Sequence, residues 1–309
     1  MRERPCRISP TRPHRAGFER GFLLVLVIGW LAGLCPAWAD LIHLSLFEKP
    51  AMSTLVVRGK VIRGDLRLAE IEIEEVLKGF YDEPRLWIVF RLDNFTRRIW
   101  EEKVEFSNGE RVLLFMKPFE DIRGENPRPD RFSLVYGHQG KVTLPPEGAN
   151  ALLEATRRFV HVQEQADIEK MYEDLQSFLS DPNPLVLEAG LQQMVRLRLG
   201  RPEQIRAVLP ILDHAVPDFR RGALMLLAQM YEDRDLWQAQ LNNEDHLLTH
   251  LLTRAREDED TAVRKEAVRT LEARGKTDIL PALEQIAGTD PKQSVRFQAQ
   301  LAAYNLTRR

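Results

Sequence analysis

His246 and His250 stand one helical turn apart in HLLTH, a spacing at which two imidazoles can share a metal ion. The zinc hydrolase signature has the same spacing but needs a glutamate after the first histidine, and that position holds Leu247. The pattern offers no third ligand, and His43 and His138 are isolated. Acidic runs, Glu101–Glu102 and Glu257 to Asp260, could serve as acid and base or hold calcium; charge runs at helix junctions are usually solvated. A G-x-S-x-G elbow, a P-loop and a G-x-G-x-x-G are all absent from the sequence. The residues assemble no catalytic set, no metal site and no cofactor site, so the expectation is a protein that is not an enzyme.

The elements around these histidines repeat. In DEDTAVRKEAVRTL, Asp258 to Leu271, Asp260 can cap a helix by accepting from its first free amides. Val263, Ala267, Val268 and Leu271 then share one buried face, with Arg264 beside it. The layout recurs with Val295, Arg296, Ala299 and Ala303 after Asp290, and with Phe219, Arg220, Ala223 and Leu227 after Asp218. A looser copy from Asp181 keeps Leu185 and Ala189 but lacks the arginine. Each copy has a second amphipathic helix beside it, in DIEKMYEDLQSFL, EQIRAVLPILDHA, EDHLLTHLLTRARE and DILPALEQIA. Self-similarity at this spacing implies stacked helical pairs, none of which can bury its apolar face alone.

These repeats resemble the short HEAT-type repeats first grouped with phycobilin lyases, over about Asp167 to Leu306. The resemblance implies an α-solenoid of about four helix pairs. It also implies a structural role for Asp218, Arg220, Asp260, Arg264, Asp290 and Arg296, the arginines holding neighbouring repeats in register. The first unit lacks its arginine and reads as a cap, and the third is lengthened by YEDRDLWQAQLNNED. Lyase chemistry does not follow.

Between Leu55 and Leu144 the apolar runs are shorter. TLVVRGKVI, AEIEIEEVL, RLWIVFRL, RVLLFMK and RFSLVYG are separated by turn signals such as Lys78-Gly79 and Ser107-Asn108-Gly109. Five to seven such strands predict a small antiparallel barrel or sandwich. VVRGKV, IEIEEVLKG, NGERVLLFMKP and YGHQGKVTLP follow one another in an order similar to the OB-like barrel of tissue inhibitors of metalloproteinases. The inhibitors' N-terminal cysteine is missing, so the resemblance implies the fold and not the inhibitory chemistry. The expected fold class is therefore two-domain, an all-β OB-like barrel or sandwich followed by the α-solenoid.

The first residues read as an address. Six arginines against two acids precede an uncharged run, Phe22 to Leu34, and then Ala37-Trp38-Ala39, the three parts of a secretory signal cut before Asp40. The alternative is an uncleaved anchor, for which the run is marginally long against the ~20 residues a bilayer needs. Cleavage would lower the basic residues from 44 to 38 and the acidic from 46 to 44, a net charge of −6 in place of −2, and would remove both Cys6 and Cys35. Such a chain has no overall attraction for nucleic acid and no expected membrane insertion, and its lack of disulfides fits a periplasmic or secreted protein held by its cores. The expected organisation is 1–39 signal peptide, 40–145 β domain, 146–166 linker helix and 167–309 repeats.

Recognition by shape remains. Stacked pairs present an extended surface, and the helix beside each D-x-x-V-R copy should line it. That places Arg206, His246, His250, Arg254 and Glu284 as partner-binding candidates, with Trp237 of the inserted loop as an aromatic anchor or as simple packing. The leading reading is an exported scaffold for an unidentified protein or peptide. The alternative is an inhibitor or small-ligand binder working through the barrel, and an enzyme of unrecognised type ranks third.

Overall fold

Strict alternation in LAEIEIEEVLK puts Ala69, Ile71 and Ile73 on one face and Glu70, Glu72 and Glu74 on the other, and this strand forms part of a closed barrel. The computed structural model describes residues 44–65, 68–89, 104–119, 129–232 and 244–308. Residues 1–43, Glu101–Glu102 and Trp237 lie outside them. A short helix α1 (Glu48–Ala51) leads into β1 (Leu55–Gly64), β2 (Leu68–Lys78), β3 (Arg85–Val89), β4 (Arg111–Pro118), β5 (Arg131–Leu134) and β6 (Lys141–Thr143). The sheet runs β1-β2-β3-β5-β4 and closes through β1 against β4, with β6 continuing along β4. The barrel reading is thus the correct one of barrel or sandwich, and the order is that of an OB-like barrel. It is not wholly antiparallel: β3 and β5 run parallel at Trp87↔Arg131 and Ile88↔Phe132, and this pair closes the circle.

Val57, Val61, Ile71, Leu86, Ile88, Val112, Leu114, Met116 and Phe132 fill the interior. β4 reads as an unbroken apolar run because both its faces are covered. Leu113 and Phe115 point outward yet are buried under Val135, Leu144 and Leu153. Gly59 lies where the β1–β2 register shifts; a Cβ there would meet Ile71 Cγ2 at 2.5 Å and Glu72 O at 2.8 Å, so only glycine lets the strands approach.

Nine helices follow the barrel among the described residues: α2 (Ala149–Glu164), α3 (Ile168–Phe178), α4 (Pro184–Arg196), α5 (Ile205–Val208, flanked by 3₁₀ turns), α6 (Pro217–Glu232), α7 (Glu244–Glu257), α8 (Thr261–Arg274), α9 (Leu280–Thr289) and α10 (Gln293–Arg308). After α2 they form four pairs, α3–α4 through α9–α10, as a solenoid-like array. Capping fixes their starts: Asp167 accepts from Glu169 N, Asn183 from Leu185 N, and Asp260 from Ala262 N and Val263 N. One apolar core runs without a break from Phe47 and Phe159 to Leu306.

The bridging helix α2 serves both parts. Leu153 packs with the outer face of β1 and β4, and Phe159 stacks edge-on against Phe47 at 5.3 Å and tilts against Phe178 at 6.0 Å. Arg157 forms a bidentate pair with Glu75 of β2 at 2.8 and 3.0 Å. Gln163 donates to the Phe47 carbonyl. The described residues of the barrel and of the array accordingly belong to one compact unit.

Candidate functional site

The arginines of the repeated helices are placed by their register. Arg220 of α6 is buried because Phe219, Ala223 and Leu227 turn that side of the helix into the core. Its Nε and Nη2 donate to the two oxygens of Asp258, at 2.9 and 2.8 Å, and its Nη1 donates to the carbonyls of His214 and Ala215. One pair further on, Arg264 of α8 does the same: Nε and Nη2 to Asp290 at 2.8 and 3.2 Å, Nη1 to the carbonyls of Asp258 and Glu259. Arg296 of α10 repeats the first half, its Nη1 2.7 Å from the Asp290 carbonyl. Arg220 and Arg264 each thus tie the turn six residues before them to the acid of the following pair, a fork geometry that lysine could not supply.

The acid of this ladder is Asp258, two residues before the cap Asp260, and its carboxylate is fully buried. It also accepts from Arg254 at 3.3 Å and from the Asp260 amide at 3.0 Å. Burial pushes the Asp258 carboxyl up, and the hydrogen bonds from Arg220, the Asp260 amide and Arg254 outweigh it, leaving its pKa below the ordinary carboxylate value. Asp290 is likewise pushed up by burial and pulled lower overall by Arg264 and the Lys292 amide. Asp218 takes no part in the ladder. It lies inside the first turn of α6, exposed, 3.3 Å from Arg221.

The ladder begins earlier than the repeats that sequence periodicity marks. Asp181 accepts from the Asn183 amide, as Asp258 does from Asp260, and pairs with Arg158 of α2. The bridging helix is thus the first layer of the array. At the next junction both members are replaced together: Leu187 stands where Arg264 stands, six residues after its aspartate, and His214 stands where Asp258 does. A buried charge without its partner is costly, and here neither is present. The sequence signal for the forks of Arg220 and Arg264 is an aspartate six residues before the next repeat's arginine, Asp258 before Arg264 and Asp290 before Arg296.

The proposed partner-binding residues fall on equivalent helices. Arg206 is exposed on α5 and Glu284 is exposed on α9. On α7, His246 is exposed and its ring lies 4.6 Å from that of His250, edge-on. His250 Nδ1 is 3.9 Å from Asp213, and Arg254 bridges Asp213 to Asp258. Arg254 is therefore part of the packing between layers, whereas Arg206, His246 and Glu284 face solvent. No cluster of three or more His, Cys, Asp or Glu able to hold a metal occurs among the described residues, and none of their helices is long and apolar enough to cross a membrane.

Residues 237–304 match the family model for HEAT repeats. The match takes in α7 to α9 and most of α10, the two helical pairs that the Arg264–Asp290 fork locks together. HEAT repeats are non-catalytic scaffolding in the usual case and mediate protein interactions, and this region is similar to them. No curated protein and no solved structure matches the chain.

Proposed function

We propose that this chain is an exported, non-catalytic scaffold that binds a protein or peptide partner through the surface of its helical array. The observation that carries the reading is the ion-pair ladder. Forks from Arg220 and Arg264, with the Arg254 bridge, hold α5, α7 and α9 in fixed register, so that Arg206, His246 and Glu284 are displayed on a preorganised surface. The similarity of residues 237–304 to HEAT repeats supports the same reading. Export is supported by the arginine-rich start, the apolar run and Ala37-Trp38-Ala39.

The test expresses the full sequence in a Gram-negative host, determines the N-terminus of the soluble periplasmic protein, and recovers crosslinked partners from the native cells. The expected result is a start at Asp40 and one reproducible partner whose recovery drops with Arg206→Glu at unchanged melting temperature. An intact N-terminus in the membrane fraction would replace secretion by anchoring. Partner recovery indifferent to Arg206→Glu and to Glu284→Arg would remove this face from the function.

A further inference from the structure

The ladder has an open end. Arg220 and Arg264 each give Nε and Nη2 to a buried carboxylate of the next layer, and Arg296 holds the same backbone contact through Nη1 while no carboxylate among the described residues takes its other edge. Around it, α10 exposes Phe297, Leu301 and Tyr304, at 64%, 40% and 49%, with the Arg308 guanidinium 4.4 Å over the Tyr304 ring. These side chains occupy one stripe, at i, i+4 and i+7.

Register shows what the stripe faces. A shift of 32 residues carries Arg264 to Arg296, Arg269 to Leu301 and Glu272 to Tyr304. On α8 those positions touch the following layer: Arg269 reaches Gln298 and Glu272 accepts from Asn305. Leu301 and Tyr304 therefore stand where a further layer would stack. Solenoid ends normally carry a polar outer face, and here the polar residues of α8 are replaced by apolar ones.

We infer that this end of the array is a docking surface for a partner protein presenting an amphipathic helix led by a carboxylate, the acid closing the Arg296 fork and the apolar side of the helix covering Phe297, Leu301 and Tyr304. The inference rests on the scaffold reading and names its partner chemistry. Charge argues for an acidic partner over a second copy: Pro291–Arg309 contains Lys292, Arg296, Arg308 and Arg309 and neither aspartate nor glutamate, so two such ends would set cations against cations. Head-to-tail stacking is obstructed because the first layer, α2, is already covered by Phe47 and by the barrel residues around Leu153.

The test places a photo-crosslinking amino acid at Tyr304 of the full chain in its native cells, and a second at Arg206 in a parallel strain, with the crosslinked peptides sequenced. The expected adduct at 304 joins a different protein at a helix preceded by Asp or Glu. It should fall at least tenfold with Arg296→Ala and with Leu301→Glu, and return when Arg296→Asp is combined with the reversed charge on the partner. Leu301 is exposed, so that variant keeps the fold if Arg296→Ala does not; circular dichroism melting checks both. An adduct with a second copy or with another segment of the same chain, an adduct indifferent to both variants, or no adduct at 304 overturns the inference. If 206 captures a partner while 304 does not, the scaffold reading stands without this surface. If neither does, both fail.

Discussion

Arg220 and Asp258 meet as a closed fork, Nε on one carboxylate oxygen and Nη2 on the other, with the arginine side chain only 5% exposed and the aspartate fully buried. The two belong to different helical pairs, 38 residues apart, so the contact fixes how one layer sits on the next.

Removing one partner of such a pair leaves an unpaired buried charge, which typically costs about 3–5 kcal/mol. Asp258→Ala should therefore destabilise the chain by that amount in urea unfolding. Asp260→Ala removes only a helix cap and should cost about 1 kcal/mol. Asp218→Ala, exposed and paired three residues away, should stay within about 0.5 kcal/mol. Equal costs for Asp258→Ala and Asp218→Ala would mean that the ladder does not hold the layers.

The Leu187 and His214 junction lacks both charges, which suggests that the array tolerates loss of a whole pair better than loss of half. A double-mutant cycle at Arg264 and Asp290 tests this. Arg264→Leu alone and Asp290→Asn alone should each be costly, and the double variant should cost at least about 1.5 kcal/mol less than their sum. Asparagine keeps an acceptor for the Lys292 amide, so the coupling reports the ion pair rather than the turn. Strict additivity would contradict the pairing.

The strands could be read from the sequence because β2 and the later part of β1 alternate, their inner residues meeting a packed interior and their outer ones more exposed. β4 broke that rule because Leu113 and Phe115 are covered from outside by residues 135–153, a fact that only the fold supplies. The parallel β3–β5 pair was illegible for a related reason: it is made across a long connection, and local periodicity carries no information on such pairing. In the array the arginines and Asp290 are legible by repetition, whereas in the repeat of Arg264 the sequence points to the cap Asp260 and the structure to Asp258. Asp260 and Asp258 look alike in sequence; burial distinguishes them, since only the second faces the preceding layer. Arg158 is not legible in the sequence because α2 has no repeat pattern, and its pairing with Asp181 follows only from how α2 packs on the array.

Asp258 and Asp290 both have their pKa lowered from the ordinary carboxylate value in the folded chain, burial raising it and the hydrogen bonds, led by those from Arg220 and Arg264, outweighing burial. A depressed carboxylate contributes stability that is present above its unfolded value and is lost as pH falls through the folded one. The chain should therefore hold its stability down to about pH 5 and lose it increasingly steeply below about pH 4. Asp258→Asn should flatten that acid limb while lowering stability at pH 7. Melting curves from pH 7 to pH 2 measure both. An acid limb unchanged in Asp258→Asn would assign it to other carboxylates.

The Phe47–Phe159–Phe178 contacts join the segment before the barrel to the array, so the described parts should unfold in a single transition. Phe159→Ala removes a fully buried ring and should cost about 3–5 kcal/mol. Arg157→Ala breaks a half-exposed pair with Glu75 and should cost less than about 1 kcal/mol. Two separate calorimetric transitions in the unmodified chain would show that the aromatic contacts do not couple the parts.

Arg206 and Arg254 are both partner-binding candidates from the sequence, yet they should respond differently to reversal. Arg254 sits between Asp213 and the buried Asp258, so Arg254→Glu sets a third carboxylate among two others and should destabilise the chain by about 2 kcal/mol or more. Arg206 is exposed on α5, and Arg206→Glu should leave stability within about 0.5 kcal/mol. Loss of partner binding in Arg254→Glu would therefore report a disturbed register as readily as a lost contact. Loss in Arg206→Glu at unchanged melting temperature reports the surface itself. If Arg206→Glu melts as low as Arg254→Glu, α5 is part of the packing between layers and its exposed face no longer serves as the binding surface.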